Sequence, residues 1–474
     1  MQASAKQITG AEAVAVSVVL PGEAESNDVR VRARRVYSRA VALFADGSDH
    51  SIARRVASTA FLIRVASAAV VFLTQVILAR WMGRFEFGVY VYVWTWVLLL
   101  GALVSLGLPS AAQRFIPEYL GRGELDRLRG FLVGSRWIAF GLGTIAAAIG
   151  IALVLLFRRQ LESYHFVPLV LACLCLPIYA VTDTQDGIAR SYNWIDLALV
   201  PSYLARPVLI LLVMALPHLF GVPATAVAAM IAATVAVWVT SLAQLVLLNR
   251  RLKRETTPGP RTYEQRMWLK TSLPIFMVGS FYFLLAYTDI LVLEAFAGPS
   301  EVAVYYAATK TLSLVAFVYF SVSAATAHRF SEYHVAGARD KLETFLANAI
   351  QWTFWPSLLG TLALLAIGKP VLALFGEGFE QGYPLMFVLA VGLLARASVG
   401  PVERLLTMVG EQRLCALVYA AAFAFNLVLC LLLVKPFGSL GAAIATASAL
   451  VLESILLFIV TKRRLGLHVF IWRR

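Results

Sequence analysis

Apolar runs of about 20 or more residues recur along most of the chain, and short polar segments separate them. A helix of about 20 apolar residues is long enough to cross the hydrocarbon core of a bilayer. Strands of a membrane barrel would alternate polar and apolar side chains at every second position, and these runs do not. The pattern predicts an all-α integral membrane protein with about 12 transmembrane helices. The predicted spans are residues 57–79, 88–110, 131–156, 166–186, 195–217, 222–248, 271–296, 302–325, 345–368, 383–403, 414–434 and 439–461.

The two halves of this pattern resemble each other in sequence. Residues 83–90 and 112–119 match residues 298–305 and 327–333, and Gly, Glu, Tyr and Arg recur at one offset of 215 positions. The recurring residues of the first copy are Gly83, Glu86, Val89, Tyr90, Arg114 and Phe115. Six spans separate the copies, so both halves have the same sense across the membrane. The repeat predicts two six-helix halves related by an axis along the membrane normal, a plan known from transporters whose site lies between the halves.

The positions of Lys and Arg give these spans an orientation. If the N-terminus is cytoplasmic, 30 basic residues fall on the cytoplasmic side, six on the other side and five within spans. Cytoplasmic loops of membrane proteins carry such an excess of basic residues. Both termini are therefore predicted to be cytoplasmic. The predicted domains are a basic tail (1–55), the first bundle (56–249), a basic linker (250–270), the second bundle (271–461) and a basic tail (462–474).

Composition narrows the possible functions. Only 14% of the residues are charged, whereas soluble domains carry about 25%. The net charge of +14 lies mainly in loops, so it favours a topological role over nucleic-acid binding. The four cysteines lie within apolar runs and the six histidines have no ligand spacing, so no disulfide, metal site or cofactor is expected. The outer loops are too short to hold a catalytic domain, and an enzyme is not expected.

Several motifs occur together in a family-like order and spacing. They are Ala79-Arg-Trp-Met-Gly, Phe87-Gly-Val-Tyr, Gly107-Leu-Pro-Ser-Ala-Ala-Gln-Arg-Phe, Leu374-Phe-Gly-Glu-Gly-Phe, Gly400-Pro-Val-Glu-Arg and Gly438-Ser-Leu-Gly-Ala-Ala-Ile-Ala-Thr. On these residues, the chain resembles the polysaccharide-export flippases of the multidrug/oligosaccharidyl-lipid/polysaccharide (MOP) exporter superfamily from about residue 55 to 465. The resemblance implies movement of a polyprenyl-diphosphate-linked glycan from the inner to the outer leaflet of a plasma membrane, for polysaccharide biosynthesis.

Charged side chains within the spans are the candidate site residues, because a charge in hydrocarbon costs several kcal/mol unless it faces water or a partner. Arg206 lies near the middle of the fifth span, before Pro207. Its planar guanidinium suits phosphate oxygens, so we predict contact with the substrate diphosphate. A structural ion pair is the alternative interpretation.

Four further basic side chains and one acid complete the candidate set. Arg64, Arg136 and Arg396 lie towards the cytoplasmic ends of their spans and are predicted to collect the anionic head group. Extension of these side chains to the membrane interface is the competing interpretation. Asp289 and Lys310 flank one short outer loop. They are predicted to pair, either as a static ion pair or as a proton- or cation-sensitive gate.

Two other functions remain open. A multidrug-type, cation-coupled antiporter would need an acidic cavity, whereas five deep basic residues stand against Asp196, Asp289 and Glu453. A non-transporting scaffold would recruit glycan-assembly enzymes through the basic loops. For the flippase, the expected partners are the lipid-linked glycan, membrane lipids and a glycan polymerase or glycosyltransferases.

Overall fold

The computed structural model describes the backbone of residues 49–472, and the side chains from residue 63 onward except those of residues 274, 275 and 278. Most of the predicted basic tail therefore lies outside the described residues. Residues 49–472 form helices joined by short loops, without a strand. The first half contains α1 (Asp49–Val104), α2 (Leu108–Arg122), α3 (Leu125–Leu156), α4 (Ser163–Ser191), α5 (Ile195–Val200), α6 (Arg206–Leu219) and α7 (Ala226–Glu255). The second half contains α8 (Gln265–Ala297), α9 (Pro299–Val335), α10 (Arg339–Ala366), α11 (Gly368–Ala373), α12 (Tyr383–Val399), α13 (Val402–Met408) and α14 (Gln412–Leu465).

Ten helical stretches of the described chain are long and apolar enough to cross a membrane. Two of them, Ile63–Arg122 and Gln412–Leu465, contain 60 and 54 residues, and at about 1.5 Å per residue each can cross twice. Each is interrupted by a glycine with a non-helical backbone, Gly83 in α1 and Gly438 in α14. Counting both sides of these breaks gives twelve crossings, and the predicted all-α membrane architecture is confirmed.

The sequence repeat reappears in the backbone. Gly83 has φ 72° and ψ 174°, and its counterpart Gly298 has φ 81° and ψ 175°. A positive φ is readily adopted only by glycine, which explains why both copies keep this residue at the break between consecutive spans. Gly123 and Gly337 form a second matched pair, with φ values of 71° and 64°.

A carboxylate three residues after each of the first glycines binds the start of the last span in its half. Glu86 Oε2 accepts a hydrogen bond from the Ala226 backbone N–H at 2.6 Å, at the first residue of α7. Glu301 Oε2 accepts one from the Ser439 N–H at 3.4 Å, directly after the break in α14. Helix N-termini present unpaired N–H groups and a partial positive charge. The repeat therefore preserves a capping contact as well as a backbone shape.

The hydrophobic cores differ between the two ends of the molecule. We call the end that holds the non-helical segment 256–264 the linker end, and the other the opposite end. At the opposite end, one core combines both halves and includes Phe87, Val93, Tyr305, Phe375 and Leu385. At the linker end, the first half has its own core around Phe115, Phe131 and Trp268. The second half has another around Phe330, Leu346 and Leu457. The halves are thus held together chiefly at the opposite end.

Close polar and backbone contacts support this arrangement. A Cβ atom added to Gly88 would lie 1.8 Å from the Pro299 carbonyl oxygen, so the backbones of α1 and α9 touch where no side chain fits. The buried side chains His165 and Glu294 approach to 3.0 Å between α4 and α8. Because these contacts join elements of different halves, the opposite end is closed in this structure.

Helix α8 is shared between the halves. Trp268, near its start, is fully buried in the core of the first half. Leu285 belongs to the core of the second half, and Leu293 to the core that both halves share. Since α8 runs from the linker end to the opposite end, it connects all three cores.

Candidate functional site

Arg206 lies where the fifth span departs from regular helix. A π-helical turn, Pro201–Ala205, stands between α5 and α6, and Arg206 is the first residue of α6. Pro201 and Pro207 have no backbone N–H, so a regular hydrogen-bond ladder cannot pass through both positions. Such π turns are frequent at functional sites. The break lies next to the one arginine that the sequence places near mid-span.

The guanidinium of Arg206 packs against α4 inside the first half. Its Cζ lies 5.1 Å from the ring centroid of Tyr179, within the distance at which a cation is attracted to an aromatic face. Its Nη2 lies 3.5 Å from the Ser202 hydroxyl, while its Nε is buried without a hydrogen-bond partner among the described residues. The side chain is only 6% exposed. Arg206 therefore retains donor capacity at a largely dry position.

Two carboxylates next to Arg206 are absent from the sequence prediction. Asp183 and Asp186 of α4 both interact electrostatically with Arg206. Asp186 also accepts hydrogen bonds from Gln244 at 2.6 Å and from Ser202 at 3.2 Å. Their three-residue spacing places them on one face of a helix. The run Thr182-Asp-Thr-Gln-Asp at the end of an apolar span was the available sign of a polar site.

Arg396 of α12 occupies a similar setting in the second half. Its Cζ lies 4.9 Å from the Tyr319 centroid and 5.8 Å from the Tyr282 centroid. Its guanidinium approaches Glu453 at 3.5 Å and Glu403 at 3.7 Å. Glu453 is fully buried, whereas the Glu403 side chain is 28% exposed. Arg396 is thus held by aromatic faces and by two acids, as Arg206 is in the first half.

Tyr287 of α8 connects these two settings. It lies near Tyr179 of the first half and near Tyr282 of the second. We call the series Arg206, Tyr179, Tyr287, Tyr282 and Arg396 the arginine–tyrosine row. The row takes members from both halves: each guanidinium stacks on a tyrosine of the row, and Tyr287 interacts electrostatically with both tyrosines. Such an arrangement can offer phosphate-binding forks and neutral hydrogen-bonding groups to one ligand.

Arg64 and Arg136 lie apart from the contacts of this row. Arg64 is exposed on α1. Arg136 is half-buried on α3 and donates hydrogen bonds to the Leu132 carbonyl at 2.6 Å and to Asn249 Oδ1 at 2.7 Å. Of the four predicted arginines, Arg206 and Arg396 are the two that stack on tyrosines of the row in the described structure. The substrate-binding role of all four stays a prediction.

Asp289 and Lys310 are electrostatic neighbours within the second half. The buried Asp289 carboxylate accepts hydrogen bonds from the Tyr305 hydroxyl at 2.5 Å and the Thr446 hydroxyl at 3.1 Å. The Lys310 Nζ lies 5.0 Å from the Tyr306 ring centroid. No N–O contact within 4.0 Å joins the two charges in the described structure. Hydroxyls, rather than Lys310, directly satisfy Asp289, and its role in gating stays a prediction.

Comparison with solved structures shows transporters of the same fold. An inward-facing multidrug resistance MATE family transporter of the MOP superfamily is 18% identical, with a TM-score of 0.66, covering 86% of this chain and 94% of its own. The lipid II flippase MurJ, in an inward closed conformation, is 15% identical, with a TM-score of 0.67. The match covers 85% of this chain and 87% of the MurJ chain. A MOP superfamily transporter from Pyrococcus furiosus, described as having a binding pocket of reverse polarity, is 18% identical, with a TM-score of 0.64, covering 87% and 95%.

Sequence comparison agrees with the fold. An uncharacterized membrane protein of Methanocaldococcus jannaschii is 23% identical over 410 residues, which cover 80% of this chain and 78% of the relative. A MatE family model matches residues 274–432. The model of the family described as "Polysaccharide biosynthesis protein" matches residues 54–334, more than half of the chain. The chain therefore belongs to the polysaccharide biosynthesis protein family, and it shares its fold with solved transporters of the MOP superfamily.

Proposed function

We propose that the protein is a flippase that moves a polyprenyl-diphosphate-linked oligosaccharide across the plasma membrane. The arginine–tyrosine row is the observation that carries this proposal. One arginine from each half stacks on a tyrosine, and Tyr287 interacts electrostatically with both of these tyrosines, inside a protein whose surroundings are apolar. Two planar guanidinium groups match the charge and geometry of a diphosphate. The phenol hydroxyls provide donors and acceptors for the hydroxyl groups of a glycan.

The arrangement of the halves supports alternating access to this row. The shared core closes the opposite end, while each half has its own core at the linker end. A rocking motion that separated the shared core and brought the linker-end cores together would expose the row to the other side. The prenyl chain would remain in the bilayer during this motion, while the glycan and diphosphate pass between the halves.

Orientation and partners belong to the same proposal. The bias of basic residues favours a cytoplasmic linker end with both termini on that side. The conformation seen here would then receive substrate from the inner leaflet. A glycan polymerase or glycosyltransferases would act before and after transport, and the basic linker-end loops are the surface that we expect them to contact.

A cation-coupled multidrug antiporter is the second candidate, and the acids beside both arginines favour it. Asp183 and Asp186 accompany Arg206, and Glu403 and Glu453 accompany Arg396. Because Asp183 and Asp186 add two buried acids beside Arg206, the interior is less basic than the sequence predicts. The similarity to MATE transporters also fits this candidate. Free donor capacity on Arg206 favours an anionic group instead.

The test measures lipid-linked glycan on each leaflet of a deletion strain complemented with variants. We expect intermediates to accumulate on the inner leaflet in the deletion and in Arg206→Ala, with transport reduced about 10–100-fold by loss of a charge-assisted contact. Arg158→Ala is the matched control, because Arg158 stacks on Phe166 near the opposite end. Normal outer-leaflet glycan in the deletion strain, together with new sensitivity to cationic drugs, would favour the antiporter.

A further inference from the structure

A groove on the outer flank of the first half is distinct from the arginine–tyrosine row. It has a volume of about 1010 Å³ and lies between α3, α7 and the segment 256–261. Its mouth is at the linker end, where the segment that joins the halves crosses it. The residues that define its character are Arg136, Trp137, Phe140, Trp238, Lys253 and Arg261. The groove therefore combines a basic rim with an aromatic interior.

The basic rim lacks compensating acids. None of the described residues that line the groove is Asp or Glu. Arg129, at the edge, is already neutralised by Asp126 at 2.7 Å. Arg136 and Arg261 repel each other electrostatically, and Lys253 is exposed beside them. Three positive charges thus converge without a carboxylate partner, which favours an anionic ligand.

The interior continues from this rim towards the middle of the membrane. Trp238 and Asn249 are both on α7 and eleven positions apart, so at about 1.5 Å per residue the groove follows the helix for about 16 Å. That length is comparable to half of the roughly 30 Å hydrocarbon core. Phe140, Val181 and Leu242 provide apolar walls over this depth. A phospholipid of one leaflet has the same division, with a polar head group at the surface and apolar chains below it.

We propose that this groove binds one anionic glycerophospholipid of the linker-end leaflet. Its phosphate interacts with Arg136, Lys253 and Arg261, and one acyl chain lies along Trp238 and Leu242. Charge complementarity identifies the occupant, because basic pockets between transmembrane helices bind anionic lipid head groups. The aromatic and aliphatic lining excludes a ligand that consists of a phosphate alone.

A bound lipid would stabilise the segment between the halves. Arg129 Nε donates a hydrogen bond to the Thr257 carbonyl at 2.7 Å, and the Thr262 N–H donates to the Asp126 carbonyl at 3.0 Å. A Cβ atom on Gly130 would lie 1.9 Å from the Thr262 carbonyl oxygen, so this segment rests directly on α3. A lipid in the groove adds contacts to the same segment and holds it against the first half.

The experiment measures retained lipids on the purified full-length protein by native mass spectrometry, with phosphatidylglycerol and phosphatidylcholine as probes. The test variant is Lys253→Gln with Arg261→Gln. The control, Arg254→Gln with Arg266→Gln, removes the same charge from exposed linker-end residues that do not line the groove. We expect phosphatidylglycerol affinity to fall about 30-fold in the test variant and less than about 3-fold in the control, because each basic side chain contributes about 1 kcal/mol.

Several results would overturn the proposal. Equal losses in the two double variants would show a diffuse surface charge effect instead of a site. Equal retention of phosphatidylcholine and phosphatidylglycerol by the wild type would remove the role of the anionic head group. If soluble glycerol phosphate displaced phosphatidylglycerol with an affinity equal to that of the lipid, the apolar interior of the groove would contribute nothing to binding. Binding of a polyprenyl diphosphate, but not of phosphatidylglycerol, would assign the groove to the transported substrate.

Discussion

Gly88 permits a close backbone contact between the two halves. Its missing side chain lets α1 meet the backbone of Pro299 at the start of α9. A nearby residue pair of the repeat, Tyr90 and Tyr305, is fully or almost fully buried in the core that both halves share. A substitution at Gly88 therefore acts on the closed opposite end without touching the arginine–tyrosine row.

We predict that Gly88→Ala opens the opposite end or destabilises the protein by about 1–3 kcal/mol, because overpacking of a close contact costs about that much. The measurement is the distance between spin labels at Arg84 and Gln381, whose side chains form a 3.0 Å hydrogen bond between the halves. Gly141→Ala is the control, since an added Cβ there meets nothing within 4 Å. An unchanged distance distribution and unchanged stability in Gly88→Ala would contradict the closed contact.

Sequence reasoning identified the individual charges of the site better than their surroundings. Arg206 and Arg396 were visible because an arginine inside an apolar span is unusual. The aromatic residues beside them, Tyr179 and Tyr282, were not, since a tyrosine in a membrane span has no distinctive spacing. The prediction that Arg136 and Arg396 collect the head group stays a prediction, because position along a helix does not show which face the side chain occupies.

The turns between consecutive spans depend on a short repeated motif, a glycine followed three residues later by a glutamate. Gly83 and Gly298 turn the chain between spans, and Glu86 and Glu301 then cap the last span of each half. The sequence reveals these residues as a repeat, but only the structure shows that the two glutamates accept hydrogen bonds from distant helix starts. Glu86 and Ala226 are 140 positions apart, and nothing in either local sequence indicates that they meet.

Removal of the first cap tests this interpretation. We predict that Glu86→Ala lowers the free energy of unfolding in detergent by about 1 kcal/mol, because it leaves N–H groups at the start of α7 without the carboxylate. Glu162→Ala is a matched control, since Glu162 stands at the N-cap of α4 and makes no side-chain capping hydrogen bond. Equal stability losses in the two variants would argue against a capping role for Glu86.

The molecule as a whole combines a closed end with an end where each half keeps a separate core. The twelve crossings and the direct repeat were predictable because hydrophobic length and charge bias are properties of the sequence itself. The conformational state was not predictable, since hydrophobic patterning does not show which arrangement of two packed halves is the populated one.

Locking the closed end should stop transport. We predict that Arg84→Cys with Gln381→Cys, joined by a short bis-methanethiosulfonate reagent, transports at background level and recovers after reduction. The four native cysteines are buried, so they provide little competing reaction. Each single-cysteine variant treated in the same way is the control. Full transport by the cross-linked double variant would exclude a rocking motion that separates this end.

The course of α8 through all three cores limits how far the halves can swing. About 25 Å of helix lies between Trp268, anchored in the first half, and Leu285, anchored in the second, at about 1.5 Å per residue. An intact helix curves with a radius of about 60–100 Å, and over this length such a curvature changes the direction of the helix axis by about 15–25°. Any larger angular travel needs a sharp bend, for which the sequence of α8 offers Pro274 and the neighbouring pair Gly279 and Ser280. The angle through which the halves can rock therefore depends on how far α8 bends between its two anchors.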